Sequence, residues 1–206
     1  MTEEFIDVTV TSLEMLTPPA RPLARAPSLS QPVMLLRAHQ QTTSFYRYLY
    51  NTVGQEWLWY ERRQMSDEVL TEIIHDKNVS VDVLYCGGVP AGYAELDARM
   101  MPAVEVAYLG LIHDFIGRGL GRFIVDWAVD AAWDLEPERV WIHTCNLDHP
   151  AALPTYQKAG FSVFNRQTTK IPNPRLLPSF AKFKLMASSA EDENKPVASS
   201  DKQLSS

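Results

Sequence analysis

Apolar positions along the chain recur with a period of two in some stretches and near 3.6 in others, an order that predicts a mixed α/β fold. The clearest stretch is 104–132, VEVAYLGLIHDFIGRGLGRFIVDWAVDAA. Val104, Val106 and Tyr108, continued by Leu109, Leu111 and Ile112, form a β-rich apolar run. Gly117, Gly119 and Gly121 then interrupt the pattern. Leu120, Phe123, Ile124, Trp127, Ala128 and Ala131 follow at helical spacing, as one apolar stripe. The pattern predicts a buried strand, a glycine turn and a helix. Upstream, 79–86 alternates through Val81, Val83 and Tyr85, Gly87 and Gly88 turn the chain, and 90–96 returns as the second arm of a hairpin. A turn at 99–102 leads into the central strand, so three antiparallel strands precede the glycine turn. Downstream, Glu136-Pro137-Glu138 ends the helix. Residues 139–145 (RVWIHTC) predict a strand parallel to the central one, reached by a right-handed crossover.

The flanks are less regular. Residues 5–16 predict an N-terminal strand with Val8 and Val10 on one face, and 32–38 a second short strand. Between them, 17–32 holds Pro18, Pro19, Pro22, Pro27 and Pro32 and reads as an extended connector. Residues 43–53 predict a helix carrying Phe45, Tyr46, Tyr48 and Tyr50 and ending near Gly54. Trp57, Trp59 and Tyr60 follow in a loop, where alternate rings can face a cleft while their neighbours pack. Ser66 reads as a helix N-cap with Asp67 and Glu68 in the first turn, the buried face being Val69, Leu70, Ile73 and Ile74. After the parallel strand come a loop at 146–149, a short helix at 150–159 closed by Gly160, and a long strand at 161–171. Pro154 inside that helix predicts either a separate turn over 150–153 or a kink. Residues 175–186 add at most a short edge segment. Residues 187–206 are polar, lack aromatics and read as disordered, so 1–186 is read as one domain.

Composition narrows the function. A formal net charge of −6 gives no support to a nucleic-acid partner. No apolar run reaches membrane-spanning length, and the acidic N-terminus lacks the apolar core of a signal peptide. The two cysteines, Cys86 and Cys145, lie in separate strands without metal or redox spacing, which points to a cytoplasmic, reducing compartment and to no metal.

The glycine turn is where chemistry enters. The first N–H groups of a helix have no partner within it, and the helix dipole favours an anion there. Glycines remove the Cβ atoms that would hold a phosphate off the backbone, and Arg118 and Arg122 add positive charge. A phosphate-containing ligand at 117–122 follows. The Gly-x-x-x-x-Gly-Lys-Ser/Thr loop is absent, and Gly-x-Gly-x-x-Gly would need glycine where Arg122 or Ile124 stands. The remaining pattern is Arg/Gln-x-x-Gly-x-Gly, whose glycines match Gly119 and Gly121, with Ile116 at the leading position.

On these residues the chain resembles the GNAT superfamily of N-acetyltransferases. A second motif, Tyr156-Gln157-Lys158-Ala159-Gly160-Phe161, is similar to that family's Tyr-x-x-x-Gly-Phe, with Asn146 upstream, and the element order over 79–171 is similar as well. The resemblance implies an α/β fold with a mixed sheet of about six to seven strands, splayed between its two parallel central strands and flanked by about four helices. It implies acetyl-CoA as co-substrate. Gly117, Arg118, Gly119, Leu120, Gly121 and Arg122 would hold the diphosphate, and Leu109, Gly110 and Leu111 would pair with the pantetheine amides. Asn146 would steady the pantetheine arm, and Tyr156 would protonate the departing thiolate. Glu105 and Glu95 are alternative general bases, acting directly or through water. Trp57, Trp59, Tyr60 and His143 would line the acceptor side, as an apolar or cation-binding wall. The implied activity is acetyl transfer to a primary amine of a small molecule or peptide, by direct attack in a ternary complex. A coenzyme-A-binding or sensing module without chemistry is the alternative that Ile116 keeps open. A homodimer is compatible with the exposed apolar surface expected.

Overall fold

The computed structural model describes residues 4–178 and residue 180. Seven strands run along the chain: β1 (Phe5–Met15), β2 (Val33–Arg37), β3 (Val79–Cys86), β4 (Val89–Asp97), β5 (Ala103–Leu111), β6 (Arg139–Cys145) and β7 (Ser162–Pro172). They form one mixed sheet in the order β2-β3-β4-β5-β6-β1-β7. The helices are α1 (Thr43–Val53), α2 (Glu61–Gln64), α3 (Asp67–Ile74), α4 (Leu120–Trp133) and α5 (Ala152–Ala159). Fold class, strand number and the parallel β5–β6 pair agree with the sequence. The helix count exceeds the expected four because Glu61–Gln64, read from sequence as loop, closes one helical turn.

The hairpin β3–β4 and strand β5 pair antiparallel as expected. The N-terminal strand takes a place that its sequence does not specify. β1 lies between β6 and β7, antiparallel to both, so β7 forms the edge. From β1 the proline-rich connector crosses α4. Arg21 pairs with Asp130 at 2.9 Å, and the Ala24 N–H donates to Asp130 Oδ2 at 2.7 Å. The chain then passes the glycine turn on its way to β2 at the opposite edge.

Helices cover both faces of the sheet. α4 buries Leu120, Ile124, Val125, Ala128, Val129 and Ala132, which join β-strand residues such as Val104, Val106, Val140 and Ile142 in one cluster. Its stripe is rotated from the expected one: Phe123, Trp127 and Ala131 are only partly buried. On the other face Tyr46, Leu49, Tyr50 and Val53 of α1 and Leu70 and Ile74 of α3 cluster with Val81, Val83 and Tyr93. Val69, expected in the buried face of α3, is exposed, since a helix of two turns lays only Leu70 and Ile74 into the core. The Thr42 and Ser66 hydroxyls accept from the N–H groups of Phe45 and Val69, each satisfying an otherwise unpaired helix donor. Pro154 needs neither a separate turn nor a kink. α5 starts at Ala152, so Pro154 is its third residue, where an N–H would have no partner inside the helix.

After β7 the chain forms a 3-10 turn at Pro174–Leu176 rather than an edge strand. Residues 179 and 181–186 of that expected segment, and the polar stretch 187–206, lie outside the described residues. Among the described residues no helix is long and apolar enough to cross a membrane.

Candidate active site

The site begins where the two parallel strands part. β5 and β6 pair only from Ala103 opposite Arg139 to Val106 opposite Ile142. At the same point β5 carries a bulge: Tyr108 stands opposite Glu95 and Val106 opposite Leu96, leaving Ala107 as the extra residue. A bulge bends its strand and disrupts the local ladder. From Ala107 onward β5 keeps only β4 as a strand neighbour, while β6 stays paired with β1 as far as Cys145. A cavity of about 560 Å³ lies in the split, lined by both strands, the glycine turn, the 57–61 segment and α5.

Gly117 and Gly119 sit at φ +81° and +80°, a left-handed backbone that disfavours any side chain. The N–H groups of residues 117–122 make no hydrogen bond to any described residue, and the first such bond runs from the Phe123 N–H to the Gly119 carbonyl at 3.4 Å. Gly117, Gly119, Gly121 and Arg122 line the cavity. This row of unpartnered donors fits the diphosphate of coenzyme A. Leu120 is buried. Arg122 is partly engaged by Asp126 at 2.6 Å, and Arg118 lies over the Phe115 ring, outside the lining. Pro27 of the connector stands 3.6 Å from where a Gly119 Cβ would be.

Tyr156, on α5, lines the cavity and is 7% exposed. Its hydroxyl has no partner among the described residues. Burial, followed by the Asp148 charge, pushes its pKa up, so the phenol keeps its proton. Across the split His143 on β6 lines the cavity, and its Nδ1 lies 3.2 Å from Glu105 Oε1 on β5. That hydrogen bond raises the His143 pKa, against desolvation. Leu109, Gly110 and Leu111 line the cavity, as do Trp57, Trp59 and Tyr60. Trp59 packs against the Tyr50 and Tyr108 rings and donates its Nε1–H to Asp148 at 3.3 Å. Leu58, buried between the two tryptophans, is held at φ +57°, local strain of the kind that persists only under tight packing.

Of the expected site residues, Arg118, Leu120, Glu105, Glu95 and Asn146 lie outside the lining. Glu95 is fully buried and outside the lining. It accepts from Arg62 Nη2 at 2.6 Å and from the Tyr46 hydroxyl. Burial raises its pKa while Arg62 and then Tyr46 oppose the rise. An acid so enclosed is not placed to take a proton from the cavity. Asn146 is exposed and ties the β6 end to β1, accepting from the Thr9 N–H at 2.9 Å and donating to the Asp7 carbonyl. Conversely, Glu61, Asp148, His149 and Cys145 line the cavity. Glu61 adjoins the aromatic run and could have been suspected. Asp148 reads as an ordinary capping residue, and its Oδ2 does accept from the Cys145 N–H and the Thr144 hydroxyl. Among the described residues no group of three or more His, Cys, Asp or Glu side chains is placed to hold a metal ion.

A family model described as the acetyltransferase (GNAT) family matches residues 43–161, more than half of the chain. Among curated proteins no sequence matches significantly. Solved structures share the fold. A GCN5-related N-acetyltransferase from Kribbella flavida aligns with TM-score 0.51 and 16% identity over 82% of this chain and 60% of its own. A GCN5-related N-acetyltransferase from Sphaerobacter thermophilus gives 0.52 and 15%, over 81% and 52%. A Bacillus subtilis acetyltransferase, solved in complex with CoA, gives 0.50 and 19%, over 65% and 79%. The chain thus spans at most about three fifths of the length of the first two.

Proposed function

The chain belongs to the GNAT acetyltransferase family, and from that premise we propose that it moves an acetyl group from acetyl-CoA to a primary amine by direct attack with both substrates bound. The observation that carries this reading is a buried, unpartnered phenol, Tyr156, on a cavity that opens where β5 and β6 part. Acetyl-CoA supplies an acyl group activated as a thioester. The amides of 117–122 hold its diphosphate, and the backbone of Leu109, Gly110 and Leu111, with no strand on that side, pairs with the pantetheine arm.

His143 takes the proton of the incoming ammonium. Its Nδ1–H donates to Glu105, which leaves Nε2 as the acceptor. Glu105 is therefore a positioning residue, reaching the amine through His143. The amine nitrogen attacks the carbonyl carbon, and the C–S bond breaks as Tyr156 gives its proton to sulfur. The second proton lost by the nitrogen as the amide forms restores Tyr156. Each turnover yields an amide, a free thiol and one proton. Cys145 faces the same cavity, but burial and then Asp148 push its thiol up to about 11, which supports direct attack over an acyl-cysteine route. The acceptor, a small-molecule or peptide amine, lies against Trp57, Trp59 and Tyr60.

Calorimetry with acetyl-CoA and thiol release with a panel of amines test the proposal. Tyr156→Phe is expected to lower kcat by about a hundredfold or more, the range for general acids, while leaving acetyl-CoA affinity nearly unchanged. Wild-type turnover in that variant would remove the acid role. Binding of acetyl-CoA with no thiol release from any amine would identify a coenzyme-binding module instead, the reading that Ile116 at the motif's leading position favours.

A further inference from the structure

The cavity lining holds few charged groups. Its one lysine or arginine among the described residues is Arg122, at the glycine turn. Its two carboxylates are Glu61, from α2, and Asp148, from the loop after β6, with His143 and His149 also in the lining. Trp59 donates to Asp148 Oδ1 and packs on the Tyr50 ring, whose hydroxyl donates to Glu61 Oε2, so the two acids border one aromatic part of the cavity. Glu61 Oε2 accepts from the Tyr50 hydroxyl at 3.1 Å, and its Oε1 accepts from no described residue. Both Asp148 oxygens are engaged, so Asp148 contributes field and Glu61 contributes an open oxygen. The Tyr156 hydroxyl, itself without a partner, opens on the same cavity. Around it stand four large rings, Trp57, Trp59, Tyr60 and Tyr108.

We infer that the acceptor is a small amine borne as an ammonium on an aromatic or flat apolar body, with no carboxylate of its own; the inference builds on the acetyl-transfer reading and is tested by binding first and thiol release second. The ammonium bonds Glu61 Oε1 and lies in the combined field of Glu61 and Asp148. A ring stacks on the tryptophan and tyrosine wall, where a cation over an aromatic face gains further attraction. A carboxylate on the acceptor would meet two like charges. The cavity of about 560 Å³ must also admit the acyl arm, which limits the acceptor to about one ring system.

The test is calorimetry on the full chain with 2-phenylethylamine, L-phenylalanine and propylamine, followed by thiol release from acetyl-CoA with each. 2-Phenylethylamine is expected to bind about tenfold or more tightly than either of the others. Glu61→Gln, which keeps the Tyr50 contact, is expected to weaken it by about tenfold, the range for a charged hydrogen bond, with acetyl-CoA affinity unchanged. Trp57→Leu is expected to weaken 2-phenylethylamine but not propylamine. Equal or tighter binding of L-phenylalanine, or no effect of Glu61→Gln, overturns the inference. If 2-phenylethylamine binds by these rules and no thiol appears, acetyl transfer fails while the acceptor site stands. If thiol appears fastest with L-phenylalanine or propylamine, acetyl transfer stands and this inference fails.

Discussion

Two glutamates on neighbouring strands meet opposite fates, and their partners decide it. Glu95 on β4 is fully enclosed against Arg62 and Tyr46. Removing one member of such a pair strands the other charge without water, so its role is to hold the α1–α2 face together. Glu105 on β5 keeps part of its surface and meets His143 of β6 at the end of the paired β5–β6 stretch. Both residues are equally acidic in sequence, and nothing local distinguishes them. The His143 pKa is raised first by its hydrogen bond to Glu105. As a base it must be neutral, so kcat/KM should climb as pH rises through that raised pKa. Glu105→Gln removes the carboxylate, the imidazole pKa falls, and the rising limb of the pH–rate profile should move to lower pH with a lower plateau. An unmoved limb would show that His143 is not the titrating base.

The glycine turn and the bulge act as elements. A strand, two left-handed glycines and a helix start put unpaired amides beside the cavity, and the bulge at Ala107 turns β5 away from β6. The glycine spacing was legible because left-handed backbone has a residue signature. The bulge was not, because Ala107 is an ordinary strand residue whose extra length appears only against β4. Gly119→Ala places a side chain at φ +80°, which costs roughly 1–2 kcal/mol. If the turn relaxes to relieve that strain, the KM for acetyl-CoA should rise by roughly 5- to 30-fold. Gly88→Ala, at φ +87° in the β3–β4 turn, carries similar strain outside the cavity lining. It should lower Tm and leave that KM alone, so a shared KM effect would detach the turn from coenzyme binding.

Across the whole molecule, the N-terminal strand joins the edge strand β7 to β6 and the rest of the sheet. β1 is the only strand that β7 pairs with among the described residues, and its Leu13 is fully buried. Leu13→Ala should cost about 2–5 kcal/mol, as for other large-to-small core changes. Amide exchange should speed most in β7, with β3 and β4 least affected. Uniform acceleration would mean that the sheet opens as one unit. The same strand feeds the connector that Arg21 fastens to α4, so the order β6-β1-β7 also brings Pro27 beside Gly119.

The hairpin, the central strand, the glycine turn, the Ser66 cap and the Tyr156 motif were set by sequence alone, because each rests on local periodicity or on a residue with a distinctive backbone preference. Tertiary structure alone decided where β1 inserts, which glutamate faces a partner histidine, and that Glu61 and Asp148 share a wall with four rings. Those outcomes depend on contacts between residues far apart in the chain, and a strand's neighbour or a carboxylate's burial leaves no mark on the residues beside it in sequence.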